Sequence, residues 1–301
     1  MEPPTRGRLA QICVNRLKRG ISSSNLPDVR LHVVSRAENV VLAREVVRGL
    51  AEAMALDREQ YDDIRTAVTE ACDNVVQHAY PREPGPLELD VHIRTAAVEV
   101  IVSDKGVGVA STVGGDDEGL AVGLPVMLAL ADQVELRRVL GGGTSVRMHF
   151  PTPGIGPLPP IRSSGSGSSE MELPDLPVTA RLSFARLGLA REILPRVACA
   201  LAARAHFSAD RVSDVQLLTD AISASVAEHS RALRVEIAIT VRRRCLDLQV
   251  GPLVRGGSAG LLSASSDGLP LIGLLVDHSA SATLSGPGDG ERLALQLLDA
   301  T

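Results

Sequence analysis

Thr69-Glu70-Ala71-Cys72-Asp73-Asn74-Val75-Val76-Gln77-His78-Ala79-Tyr80 decides how this chain is read. Glu70, Asn74 and His78 recur every four residues within a run of apolar positions, a spacing that belongs to a helix. With about 3.6 residues per turn, the three polar side chains fall along one face. A carboxylate one turn before an amide suits a metal–phosphate site. The carboxylate accepts a proton or positions a nucleophile, and the amide oxygen is a hard ligand suited to Mg2+. A solvated helix face carries the same stripe, so the flanking sequence has to discriminate.

Upstream, Val29-Arg30-Leu31-His32-Val33-Val34 alternates like a half-buried strand. Residues 37–55 follow as a helix, with Val41, Ala43, Val46, Val47, Leu50 and Met54 on its apolar face. Residues 58–79 form a longer helix carrying the polar stripe, ended by Pro81 and Pro84-Gly85-Pro86. Downstream, residues 87–93 and 97–102 alternate as antiparallel neighbours. The second of them runs into Ser103-Asp104-Lys105-Gly106-Val107-Gly108, an acid at a strand end beside glycines that let backbone approach a ligand closely. Residues 109–122 are polar and glycine-bearing, which suits a mobile flap. Gly123-Leu124-Pro125 is expected to open a helix through Ala131, because proline is favoured at the first helical position. Amide groups left free at such an N-terminus cradle phosphate. Strands over 133–139 and 144–150 close the domain, with Gly141-Gly142-Gly143 as the turn between them.

Residues 151–177 are rich in Pro, Gly and Ser and read as a linker. After it the same order of elements returns: a strand at 178–184, a helix at 188–205, then strands at 233–241 and 244–250. Thr219-Asp220-Ala221 lines up with Thr69-Glu70-Ala71, Gly268-Leu269-Pro270 with Gly123-Leu124-Pro125, and Asp277 with Asp132. The period is about 150 residues. The chemistry does not return with the framework. Asp220 stands for Glu70, Ala224 for Asn74 and Gly251-Pro252 for Ser103-Asp104, while Gly257 and Gly260 do not recreate the turn. The expected division is an N-terminal arm (1–28, with a short helix over 8–18), a first domain (29–150), the linker (151–177) and a degenerate copy (178–301).

Composition removes several function classes. A chain of 301 residues, 45% apolar, can build two packed cores. Aromatics are 2% and tryptophan is absent, which argues against a platform for stacking nucleic-acid bases. A net charge of −5 gives no reason to expect polyanion binding. Cys13, Cys72, Cys199 and Cys245 are scattered, so free thiols are expected rather than a disulfide framework or a zinc site. No apolar run approaches the roughly 18–20 residues of a membrane span, and no signal peptide is evident, which points to the cytoplasm.

With these residues in hand, the first domain resembles the GHKL (Bergerat-fold) ATPases. Within them it is most similar to the anti-sigma-factor serine kinases of the RsbW and SpoIIAB type. Glu70 through Ala79 matches the first family box, Asp104-Lys105-Gly106-Val107-Gly108 the second, Gly123-Leu124 the third and Gly142-Gly143-Thr144 the last. The resemblance implies an α+β fold, a two-layer α/β sandwich of the histidine-kinase-like type, here duplicated in tandem. It implies ATP and Mg2+ as ligands, Glu70 as general base, Asn74 as metal ligand and Asp104 as acceptor of the adenine amino hydrogen. Gly106, Gly108, Gly123 and Leu124 would shape pocket and lid, and Thr144 would support the adenine end. His78 is expected simply to pack at the helix end. The third box departs from the family's G-x-G-L, since its first glycine is Ala121 here. That puts turnover in more doubt than binding.

Two readings follow from the resemblance. One is an ATP-dependent protein serine kinase that phosphorylates an antagonist protein and binds a sigma factor. The other is an ATP-binding switch or scaffold that works by holding a partner. In it the second copy replaces the other subunit of a homodimer as an intramolecular pseudo-dimer. A sensor-kinase catalytic piece fits less well, because residues 1–28 contain no phosphoacceptor histidine.

Overall fold

The computed structural model describes residues 26–107, 118–139, 142–152, 179–264, 270–284 and 290–300. The alternating segments become strands β1 (Val29–Val34), β2 (Pro86–Arg94), β3 (Ala97–Asp104), β4 (Gln133–Arg138) and β5 (Thr144–Pro151). Helices α1 (Ala37–Ala53), α2 (Arg58–Asn74) and α3 (Glu118–Leu130) lie between them in sequence. The order then recurs as β6 (Ala180–Phe184), α4 (Ala190–Arg204), α5 (Ala209–His229), β7 (Val235–Arg242) and β8 (Cys245–Leu253). Two short helices, α6 (Gly257–Ser263) and α7 (Leu271–Leu275), precede β9 (His278–Leu284) and β10 (Gly290–Leu298).

All ten strands form one antiparallel sheet in the order β4-β5-β3-β2-β1-β6-β7-β8-β10-β9. The period of two sorts its faces. Leu31, Leu89, Val100 and Met148 in one half, and Leu182, Ile237, Leu248 and Leu295 in the other, are buried beneath the helices. The opposite face is polar. There Arg30 makes a paired contact with Asp90 (2.6 and 2.9 Å), and Glu99 holds Arg94 and Arg147. Helices on one face and charges on the other make a two-layer sandwich. No helix among the described residues is long and apolar enough to cross a membrane.

The second helix of each half begins on a side-chain cap. Asp57 accepts from the Gln60 amide (2.8 Å), and Gln60 reaches back to the Asp57 amide. Such a box contributes about 1 kcal/mol. Ser208 caps α5 in the same way, accepting from the Arg211 amide.

Several expectations are corrected. Val41 is exposed whereas Val40 and Leu42 are buried, because α1 packs on α2, α4 and the sheet at once, so its buried arc is wide. The α4 region opens with a 3-10 turn at Leu187–Leu189. Gly123-Leu124-Pro125 does not open a helix: α3 already runs from Glu118, with Pro125 inside it. A proline removes one N–H from the ladder but leaves the turns on either side helical. Gly257 and Gly260 lie within α6. The helix expected over 8–18, most of the linker, residues 109–117 of the expected flap, and Gly108, Gly141, Gly268 and Leu269 lie outside the described residues, while residues 118–122 of that flap belong to α3.

The two halves join through β1 and β6, which pair antiparallel from Val29 opposite Phe184 to Val33 opposite Ala180. Asp28 anchors one end of this seam. Its buried carboxylate accepts from the Ile93 amide (2.6 Å) and from Arg186 Nε (2.5 Å), and its carbonyl accepts from the Ala185 amide. Above the seam α1 lies against α4, where Arg204 donates to Asn39 Oδ1 (2.7 Å) and Arg196 pairs with Glu52. The helices approach closely at Gly49, where an added Cβ would lie 2.5 Å from the Glu192 carbonyl oxygen. Because that obstacle is backbone, a side chain there has to push α4 away. Gly49→Val is expected to destabilise the full chain by about 2–3 kcal/mol in denaturant titration. Gly256→Val, at a site with nothing within 4 Å of an added Cβ, should lack that packing penalty and show only a backbone one.

Candidate functional site

After Asn74 the helix widens into a π-helical turn over Val75–Ala79. Single π turns inside helices recur at functional sites. This one delivers the Ala79 carbonyl to the loop that follows β3, where it accepts from the Val107 amide (2.9 Å). Gly106 sits so close that any Cβ would overlap that carbonyl. Glycine is required here by approach.

Asp104 ends β3 pointing inward, and it is buried. One carboxylate oxygen accepts from the Gly106 amide (2.8 Å) and the other from the Thr144 amide (3.1 Å). Burial pushes its carboxyl above the usual range, while those two amides and the Thr144 side chain pull it back. The turn between β4 and β5 closes over the same group. Gly143 has φ +91°, and a Cβ there would run into the Asp104 carbonyl. Gly142 has φ +112°, with its Cβ position 3.3 Å from the Gly106 carbonyl. On the other side, a Cβ on Gly123 would lie 2.8 Å from Asn74 Nδ2 and 3.1 Å from Oδ1. Four segments distant in sequence thus meet around the end of α2.

Of the sequence-predicted residues, Asp104, Gly106, Gly123, Thr144 and Asn74 come together in this way. Glu70 lies one turn before Asn74, and both are half-buried. Leu124 is half-buried and packs on the core. Gly123 keeps its closeness to Asn74 but from inside α3, so it is not the free helix N-terminus expected. His78 is exposed and does not pack, since the π turn rotates it off the stripe. Cys72, between Glu70 and Asn74, is fully buried, and burial pushes its thiol up to about 12, so it is inert packing. No group of three or more His, Cys, Asp or Glu able to hold a metal ion occurs among the described residues. An ion at Asn74 would therefore need most of its ligands from a bound phosphate chain, the usual habit of Mg2+.

Contacts at Tyr80 could not be read from sequence. Its hydroxyl donates to the Pro86 carbonyl (2.6 Å) and accepts from the Lys105 amide (2.8 Å). The available signal was rarity: the chain has two tyrosines, and a half-buried phenol needs a partner for its polar end.

The second half repeats the order β-α-α-β-β with other residues at the matching places. Gly251 pairs with Glu236 as Ser103 pairs with Glu88, so Pro252 stands at the place of Asp104. The His229 carbonyl accepts from the Val254 amide (2.8 Å), as the Ala79 carbonyl does from Val107. Leu293 pairs with Val250 as Val146 pairs with Val102, but the register then shifts and Glu291 lies opposite Leu253. The Glu291 carboxylate accepts from the Gly256 amide (2.6 Å) and the Ser258 amide (3.0 Å). A side chain of the protein itself therefore satisfies the loop after β8.

Gly143→Ala combines a left-handed backbone with a collision against the Asp104 carbonyl. It is expected to cost about 2–4 kcal/mol, measured by chemical denaturation. Gly256→Ala, left-handed at φ +78° with open space around it, should cost about 1 kcal/mol.

Residues 33–150 match the family model described as a histidine kinase-like ATPase domain. Among curated relatives, the anti-sigma F factor of Caldanaerobacter subterraneus subsp. tengcongensis is 30% identical over 129 residues, covering 40% of this chain and 90% of that protein. The anti-sigma F factor of Thermoanaerobacter pseudethanolicus matches with the same identity and coverage. The serine-protein kinase RsbW of Bacillus cereus is 30% identical over 79 residues, 26% of this chain and 49% of the relative. Nine-tenths of an anti-sigma F factor is thus aligned with this chain at 30% identity, and the chain belongs to the histidine kinase-like (GHKL) ATPase domain family.

Proposed function

We propose that this chain is an ATP-binding anti-sigma regulatory factor that acts as a protein serine kinase. The observation that supports this best is the meeting of Asn74 and Asp104 with Gly106, Gly123, Gly142 and Gly143 at the end of α2, one turn beyond Glu70. Two carboxylates and an amide lie on segments that these glycines allow to approach one another closely. In this reading residues 29–150 bind the nucleotide and residues 178–301 are a degenerate copy. The segment 151–177 links them, residues 1–28 form an arm, and the protein works in the cytoplasm.

Asp104 recognises the base. A fixed carboxylate accepts the amino hydrogen of adenine and disfavours guanine, which offers a carbonyl at that place. The Gly106 and Thr144 amides hold the carboxylate in orientation, and Gly142 and Gly143 let the turn between β4 and β5 close against the loop after β3. Asn74 offers its amide oxygen to a divalent cation, taken here as Mg2+, and Gly123 keeps α3 close enough to confine it. That cation, when bound, neutralises phosphate charge. Glu70, one turn away, accepts the proton of the incoming serine hydroxyl and orients its oxygen. Gly108, two residues after Gly106 in the sequence, is assigned to the pocket with it. The substrate is a serine of an antagonist protein, and a sigma factor is the second partner. The names of the relatives, an anti-sigma F factor and a serine-protein kinase, support this choice.

The β1–β6 seam favours a second reading. The second half meets the first as one subunit meets another, through paired strands and stacked helices, while Ala224 and Pro252 stand where Asn74 and Asp104 would be needed. The chain would then be an intramolecular pseudo-dimer in which ATP acts as a switch for partner binding.

The test is Mg-ATP binding and phosphoryl transfer by the full chain. Asp104→Asn is expected to weaken ATP binding by a hundredfold or more, on the order of 3 kcal/mol for a buried charged acceptor. Glu70→Ala should retain binding and lose transfer to a serine substrate by about 100-fold or more. Binding without transfer in the wild type would favour the switch reading, and no binding would remove both.

A further inference from the structure

Tyr80 packs against the core, but its hydroxyl is not among the groups assigned above. The residue leaves the π turn directly after Ala79. Its hydroxyl bridges two loops, donating to the Pro86 carbonyl at the start of β2 and accepting from the Lys105 amide at the end of β3. Its ring lies flat against Gly85, where any Cβ would overlap the ring. Gly85 is itself fixed by Ser35 through two bonds: its carbonyl accepts from the Ser35 amide (2.7 Å), and its amide donates to Ser35 Oγ (3.1 Å). Burial raises the phenol further above its ordinary value, so the bridge keeps its proton at neutral pH.

The two amides that follow Asp104 therefore have different acceptors. The Gly106 amide is held by the Asp104 carboxylate, and the Lys105 amide is held by Tyr80. Without the phenol oxygen, the residue directly after Asp104 loses the bond that fixes its amide. The backbone at Lys105 is then free to shift and to carry Asp104 off its present bonds to Gly106 and Thr144. We propose that Tyr80 is a positioning residue for base selection: its hydroxyl holds the Lys105 amide so that Asp104 keeps a fixed orientation. It thereby couples the helix that carries Asn74 to the loop that reads the base. This rests on the nucleotide reading of the same site.

The test uses the full chain, with Mg-ATP and Mg-GTP titrated separately by calorimetry and the melting midpoint measured in parallel. Tyr80→Phe removes one oxygen and keeps the ring. It should raise the ATP dissociation constant roughly tenfold, the scale of one lost hydrogen bond to an oriented group. GTP affinity should change little, so the ATP-over-GTP ratio should fall by the same factor, and the melting midpoint should move by only a few degrees. Gly85→Ala, which displaces the ring from the other side, should lower the ratio in the same direction. The double variant should be no worse than the poorer single one, because both act through one bridge. Wild-type affinity and wild-type ratio in Tyr80→Phe overturn the proposal, as does a fall in melting midpoint with an unchanged ratio in both variants. Failure of the wild type to bind ATP at all overturns the nucleotide reading beneath it and is read from the first titration.

Discussion

The structure depends on one backbone pairing, that of β1 with β6. Each half, taken alone, would end its sheet on the unpaired N–H and C=O groups of a central apolar strand, an edge that proteins rarely leave open. Joining the edges satisfies both sets and makes one ten-stranded sheet. It also brings α1 over α4 at Gly49, and it buries Asp28 between the Ile93 amide and Arg186. β2, β3 and β5 take their register outward from this seam, and the end of α2 meets β3 only because that register holds.

What the halves share and what they do not separates scaffold from chemistry. Both close the second helix by giving its last carbonyl to the loop after the third strand of each half, Ala79 to Val107 and His229 to Val254. Both begin that helix on a side-chain cap. They diverge at the positions with polar reach. The first half aims Asp104 inward with amides on both oxygens. The second has Pro252 at that place and turns Glu291 onto the amides of Gly256 and Ser258. The carboxylate of the first half is held and remains part of a glycine-lined region. That of the second is spent on its own loop. The Glu70–Asn74 pair is therefore not a requirement of the fold.

Much of this was legible in the residues. Alternation at 29–34, 87–93 and 97–102 located strands to within a residue or two, because a half-buried sheet enforces a period of two. The Glu70/Asn74 spacing and the Asp104 strand end were legible for the same reason: both sit where a regular element presents a polar group at a predictable phase. Periodicity says which face is buried but not which edge is paired, so the β1–β6 seam and the role of Gly49 were invisible. It also placed Val41 inside, since it does not register that α1 is contacted from three sides. Pro125 misled the start of α3, because a proline permits a helix start without demanding one. Tyr80 escaped because its three contacts, with Gly85, Pro86 and Lys105, exist only once the loops have met.

The central claim is that one half of this molecule holds the nucleotide and the other completes its frame. The most direct measurement is the stoichiometry of Mg-ATP binding to the full chain, by equilibrium titration. The account predicts one nucleotide per chain. Two per chain, with the second half binding as well, would contradict it, and so would none.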